Sequence, residues 1–278
     1  MNLGSASPIG TVHSIRPGVP LPMPRVVLET ERILVINKHA NWSLNANQLG
    51  ENDGYYDHIR AALLDHRPGV DLFPCHRLDR LTSGCLLLAK DVATARHMGD
   101  LFASKRLEER VVKTYVALSS RKPKKKMGRI VGDMEKSRRG SWKLLRTTEN
   151  PAITTFESST YSTIVADEPA TEQRLYYFVV RPRTGRTHQI RVALKSMASP
   201  ILGDDRYGNA DEARRLDRAY LHSAAMSFKL PGGELINVVC PPFGDNADGE
   251  DDGGGGDGVY FCDEAFRKAW GGTTSIYS

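Results

Sequence analysis

Four cysteines in 278 residues, Cys75, Cys85, Cys240 and Cys262, form no C-x-x-C pair and have no spacing to histidine that would build a zinc site. They read as reduced, mostly buried thiols of an intracellular protein, and no metal is expected. No apolar run approaches the ~20 residues of a membrane span, and no signal-peptide core precedes the body. Acid is missing from the first 28 residues, which hold Arg16, Arg25 and several Ser and Pro; this fits an extended or disordered leader over 1–24, or the remnant of a transit peptide. Acid is unevenly placed elsewhere. "GDNADGEDDGGGGDG" (244–258) carries six Asp/Glu and no base, and setting it aside takes the net charge from +5 to +11. A body that basic suits a polyanionic partner, because neutralising phosphates releases counterions.

What is present divides into a domain over 25–243, the acidic glycine-rich segment 244–258 and a tail over 259–278. "RVVLETERILVINK" (25–38) gives two short β-type runs around a Glu-Thr-Glu turn, and "RVVKTYVALSS", "LYYFVVRP" and "LINVVCPP" are further β-branched and aromatic runs. "YYDHIRAALLDH" (55–66) and "DVATARHMGDLFASKRL" (91–107) space their apolar residues as amphipathic helices do. Strands outnumber helices without a βαβ rhythm, which predicts an α+β fold on a mixed, mostly antiparallel sheet. Residues 121–146 form the most basic stretch at +9, expected as a loop in which Trp142 is interleaved with Arg138, Arg139, Lys143 and Arg146.

Three separated segments supply reactive groups. In "CHRLDRLTSGCLLLAK" (75–90), Asp79 lies between Arg77 and Arg80 on a polar turn that runs into an apolar strand. In "KTYVAL" (113–118) alternation puts Lys113, Tyr115 and Ala117 on one face; Val112, Thr114, Val116 and Leu118 make the more apolar face, so Tyr115 is expected to turn from the main core toward a cleft. In "RPRTGRTHQIRVALKSMA" (181–198) a Thr-Gly turn precedes a helix whose apolar stripe is Ile190, Ala193, Leu194 and Met197, leaving Arg191 off the stripe to meet a carboxylate.

"HRLDRLTSG", "KTYVAL", "GRTHQIRVAL", "ILGDDRYG" and "LHSAAMSF", in that order, resemble the RluA-type family of RNA pseudouridine synthases over about residues 30–240. The resemblance implies the pseudouridine synthase fold with a central RNA-binding cleft, and isomerisation of uridine to pseudouridine without a cofactor. It implies roles residue by residue. Asp79 would be the catalytic aspartate, Arg77 the side chain entering the space of the flipped base, Tyr115 the ring stacked on the target, and Arg191 the aspartate's partner through a two-pronged hydrogen bond. RNA contacts are expected from Arg77, Arg80, Lys124, Lys125, Lys126, Arg138, Arg139, Trp142, Arg186 and His188, although a lone histidine is more often structural, as are His76 and His222. The chain departs from the family in "NKHANWSL", with His39 for a proline and Asn41 for a glycine, and in Ala193 where a histidine is common.

Two readings from other classes remain at this point. One is an RNA-binding assembly factor of the same fold with silent chemistry; the other is a glycosidase pairing Asp79 with Asp204 or Asp205. The expected partner is RNA, ribosomal more than transfer RNA, with ribosomal or assembly proteins beside it and no membrane, for a monomer. The compartment would be the cytoplasm in a bacterium, or a mitochondrion or other organelle in a eukaryote.

Overall fold

The computed structural model describes residues 24–41, 71–104, 106, 109–165, 171–216 and 218–242. The helix expected over 55–66, the acidic segment 244–258, the tail 259–278 and the leader apart from residue 24 lie outside them. Strands β1 (Val26–Glu29) and β2 (Ile33–Lys38) flank the Glu-Thr-Glu turn as the sequence predicts. β3 (Phe73–Pro74) and β4 (Ser83–Ala89) bracket the Asp79 turn, and helix α1 (Val92–Ala103) follows. Asp91 caps α1, its carboxylate accepting from the Thr94 amide and hydroxyl, both at 2.7 Å.

β5 (Val112–Ser119) carries the Lys-Thr-Tyr segment, and the next stretch departs from expectation. Residues 121–146 are not one basic loop. They contain β6 (Met127–Gly132), then a hairpin of β7 (Met134–Lys136) and β8 (Trp142–Leu144) around a single 3-10 turn at Arg138–Gly140. β6 is held because β9 (Ala152–Val165) supplies a long antiparallel partner, register Met127 opposite Glu157 through Gly132 opposite Ala152. Charge density masked that strand in the sequence, since exposed edge strands tolerate lysine and arginine.

β10 (Thr171–Pro182), α2 (Gln189–Ser196), the short α3 (Ala210–Ala213), β11 (Leu221–Lys229) and β12 (Leu235–Val239) complete the described chain. Among the described residues ten strands form one sheet in the order β1-β2-β4-β11-β5-β10-β9-β6, with β12 added to β11 and β3 to β4. Its pairings are antiparallel except β4 with β11, so the α+β class and the mixed, mostly antiparallel sheet hold.

Both faces of the central strands are buried. On one, Leu86 and Leu88 of β4, Tyr115 and Ala117 of β5 and Phe178 of β10 pack beneath Ile190 and Leu194 of α2. On the other, Cys85 and Leu87 join Met98 of α1 and Phe228 of β11, while Val116 and Leu118 meet Leu202 and Tyr220. That is why all seven residues of β4 are buried and its sequence shows no alternation. It also corrects the expectation for Tyr115: its face belongs to the apolar interior, and the residue is 8% exposed.

Gly84 shows how tightly the parallel pair is drawn. Its φ is +106°, and a Cβ there would lie 2.3 Å from the Ser223 carbonyl oxygen on β11. Gly84→Ala should therefore cost about 3 kcal/mol or more in denaturant unfolding, combining backbone strain with a clash against main chain that cannot rotate away. A loss below 1 kcal/mol would show that the two strands can part.

Candidate active site

Three chain segments converge on one cleft of about 240 Å³, lined by Arg77, Asp79, Tyr115, Arg186, His188 and Arg191 among others. Among the described residues Asp79 is its only lining carboxylate. The turn from β3 to β4 presents it, and the Thr82 amide closes that turn on the Asp79 carbonyl at 3.0 Å. Lys38, at the end of β2, is fully buried beneath, its ammonium donating to the carbonyls of His39 at 2.7 Å and Arg80 at 3.3 Å. The departure "NKHAN" keeps its turn because Asn41 takes φ +67°, a left-handed conformation that asparagine tolerates better than most residues.

Arg191 projects from the first turn of α2, 6% exposed at its side chain, but its geometry differs from the expected pair. The two-pronged hydrogen bond goes to Asp204: Nε donates to Oδ2 at 2.7 Å and Nη2 to Oδ1 at 2.9 Å. The remaining nitrogen, Nη1, approaches Asp79 Oδ2 at 3.5 Å. A guanidinium offers one bidentate edge to one carboxylate at a time, and the buried Asp204 occupies it. Asp204 also accepts from the amides of Arg206 at 3.0 Å and Tyr207 at 3.1 Å. Gly203 places it there, for a Cβ at that position would meet the Arg218 carbonyl oxygen at 2.0 Å. Burial works against charge on Arg191; the hydrogen bonds and charge of Asp204, with Asp79 adding to them, outweigh it and raise its pKa. Asp204 thus faces the arginine and does not line the cleft, and Asp205 is exposed, so neither serves as a second acid across from Asp79. The glycosidase reading loses its support.

One wall of the cleft is braced by polar contacts that the sequence did not disclose. Gln189 is buried, accepting from the Thr184 hydroxyl at 2.8 Å and the Arg186 amide at 3.0 Å while donating to the Ile153 carbonyl at 3.0 Å. The Tyr207 hydroxyl accepts from the Trp142 amide at 2.9 Å and lies 2.8 Å from His188 Nδ1. The hydroxyl and the ring nitrogen share one hydrogen bond, and burial lowers the His188 pKa. The β7–β8 hairpin is thereby tied to the site through Trp142.

The remaining residues expected to meet RNA lie elsewhere. Arg80 is half-buried in the turn, and Lys124, Lys125 and Lys126 are exposed at the approach to β6. Arg138 and Arg139 are exposed at the hairpin tip, and the cation over the Trp142 ring is Lys136, 5.9 Å from its centroid. None of these lines the cleft. His76 accepts from the Leu87 amide at 3.1 Å and stacks on Phe102; His222 bonds Ser83 and the Cys240 carbonyl, so both are structural. Cys75, Cys85 and Cys240 are buried free thiols, as expected. Among the described residues no helix is long and apolar enough to cross a membrane.

Two outcomes follow from these charges. Asp204→Asn leaves the buried Arg191 without its anion, and the melting curve should record a loss of about 3 kcal/mol. Lys38 is the second case: burial lowers its pKa to about 7, with Asp79 pulling it up and Arg80 pushing it down. The unfolded chain therefore holds more protons than the folded one above pH 7, so stability rises with pH at up to about 1 kcal/mol per unit. Unfolding followed from pH 7 to 8.5, before unfolded thiols ionise, should show that rise, and Lys38→Met should make it shallower, leaving the share of Lys113, whose pKa burial lowers to about 8.

Comparison with known proteins places this cleft in context. Residues 32–196 match the RNA pseudouridylate synthase family. A Haemophilus influenzae protein named an uncharacterized RNA pseudouridine synthase is 43% identical over 217 residues, 78% of this chain and 87% of that protein. The ribosomal large subunit pseudouridine synthase C of Rickettsia felis is 31% identical over 78% of this chain and 68% of its own. The solved structure of human RNA pseudouridylate synthase domain containing 1 superposes with a TM-score of 0.63 at 24% identity, covering 82% of this chain and 86% of that one, which is a likeness of fold. Matching motifs, their convergence on one cleft and the extent of these alignments mean that the chain belongs to the RNA pseudouridylate synthase family, in its RluA-type branch, and is an RNA pseudouridine synthase.

Proposed function

We propose that this chain isomerises uridine in ribosomal RNA, with Asp79 as the carboxylate that acts at C1′. The observation that carries the reading is Asp79's position as the only carboxylate among the described residues lining the cleft, with Arg191 Nη1 beside it at 3.5 Å. That single contact orients the carboxylate without taking both of its oxygens. An oxygen therefore remains for the anomeric carbon.

The reaction breaks the C1′–N1 bond, turns the uracil and forms C1′–C5; the proton lost from C5 and the one gained at N1 leave the composition unchanged. Developing positive charge at C1′ is met by the Asp79 anion. Tyr115 gives the base a flat surface, and burial raises its pKa, so the phenol stays neutral at working pH. Removing a base from its stack costs a few kcal/mol, which Arg77, exposed at the cleft mouth, offsets by filling the gap. Arg191 positions the aspartate, and Asp204 positions Arg191.

Ribosomal RNA is favoured because relatives at about 30% identity carry names that specify the ribosomal large subunit. The exposed bases Lys124, Lys125, Lys126, Arg138 and Arg139 supply phosphate contacts beyond the cleft, and an intracellular site of action follows from such a substrate. The test is a map of pseudouridines in ribosomal RNA from cells with and without this protein, repeated with Asp79→Asn. That variant should lose about a thousandfold or more in rate while RNA affinity stays within a few fold. Unchanged maps with retained ribosome binding would favour the assembly-factor role instead.

A further inference from the structure

Besides its arginines the cleft holds a lysine that the chemistry at Asp79 does not use. Lys113, the second residue of β5, lines it and makes no hydrogen bond or ion pair among the described residues. Its ammonium lies 5.9 Å from the centre of the Phe102 ring, and burial followed by the charge of Arg110 lowers its pKa to about 8. Arg110, three residues earlier, is half-buried and is not among the residues lining the cleft. Its Nε is buried without a hydrogen-bond partner, and burial followed by the charge of Arg183 lowers its pKa. His76, the titratable ring facing Lys113 from the β3–β4 turn, is kept neutral: its pKa falls to about 3, through burial first and the Lys113 charge second.

Two further cations flank the residues at this end of the cleft: Arg110 just before β5, whose charge opposes that of Lys113, and the exposed Arg183 between Pro182 and Thr184, which line it. Space beside the ammonium is open on the Gly185 side, where an added Cβ would meet nothing within 4 Å except Lys113 Nζ at 3.9 Å. A folded protein keeps cations together in this way when an anion from outside completes them, since their repulsion and desolvation are otherwise uncompensated. A uracil carbonyl would satisfy one hydrogen-bond donor but would leave the repulsion among Lys113, Arg110 and Arg183 in place. A phosphate relieves both, and every nucleotide drawn into the cleft brings one.

We propose that Lys113 and Arg110, with Arg183 at the rim, form a subsite for the RNA phosphodiester that accompanies the target uridine into the cleft. The assignment rests on the reading of this cleft as the isomerising site and names a contact within it. A backbone contact there is indifferent to base identity and holds the strand while the base turns.

The test uses a twelve-nucleotide oligouridylate with the full chain, its Lys113→Met and Arg110→Gln variants and the double variant, with affinity measured across salt concentrations. Each single variant should weaken binding at low salt about tenfold, as loss of a charge-assisted contact does. Each should also make the plot of log K against log salt shallower, by about 0.7 where a full phosphate contact is lost. The double variant should lose less than the two single effects combined, because both residues hold one phosphate. Lys113→Met should melt at the same temperature or higher, because an apolar side chain replaces a buried charge that lacks a partner. Unchanged salt slopes in both single variants would overturn the subsite, and so would a lowered melting temperature with an unchanged slope, which would make Lys113 a structural residue. Altered slopes without pseudouridine formation by the wild-type chain would sink the isomerase reading and leave the phosphate contact standing; active wild type with unaltered slopes would do the reverse.

Discussion

The site depends on one buried guanidinium shared unequally between two carboxylates. Arg191 gives Asp204 its bidentate edge, at 2.7 and 2.9 Å, and offers Asp79 a single nitrogen at 3.5 Å. The inequality separates two tasks. A fully desolvated carboxylate with four donors around it fixes the arginine in place, while the looser contact leaves Asp79 facing the cleft.

Holding that guanidinium requires the sheet to be covered on both faces. α2 packs Ile190 and Leu194 onto Leu86, Tyr115 and Phe178, which sets where Arg191 begins; β4, buried along its whole length, sets where Asp79 ends. The parallel contact between β4 and β11, closed at Gly84, brings the two halves of the sheet together directly behind the cleft. Buried polar groups line that approach, Lys38 under the aspartate turn and Gln189 under the loop before α2, and each is used to pin main chain. Such groups cost desolvation, and the return is a rigid frame around the cleft carboxylate.

Positive charge has two distributions here. The exposed lysines and arginines near β6 and at the β7–β8 tip are solvated and suit long-range attraction of RNA. Lys113 is desolvated and the half-buried Arg110 opposes its charge, an arrangement suited to one phosphate at short range. The Trp142–Tyr207–His188 contacts connect the hairpin to the cleft, so RNA gripped at the tip acts on a wall that carries a site residue.

Much was already determined by the chain itself. The "HRLDRLTSG" and "GRTHQIRVAL" motifs named Asp79 and Arg191, alternation and β-branching located the strands around them, and the helical stripe of 190–197 located α2. These are local properties, readable because side-chain direction follows backbone period over a few residues. The partner of Arg191 was not legible, since Asp204 stands thirteen positions on and nothing local distinguishes it from Asp205 or Asp79. Nor was the burial of Tyr115, because the face that looked less apolar along β5 is covered by α2 only once the sheet has closed. The strand and hairpin inside 121–146 were hidden for the same reason: their pairing partners, β9 and the Tyr207 hydroxyl, are distant in sequence. Which carboxylate a cation meets, and whether a lysine keeps its water, are decided by neighbours that tertiary packing alone brings within a few ångströms.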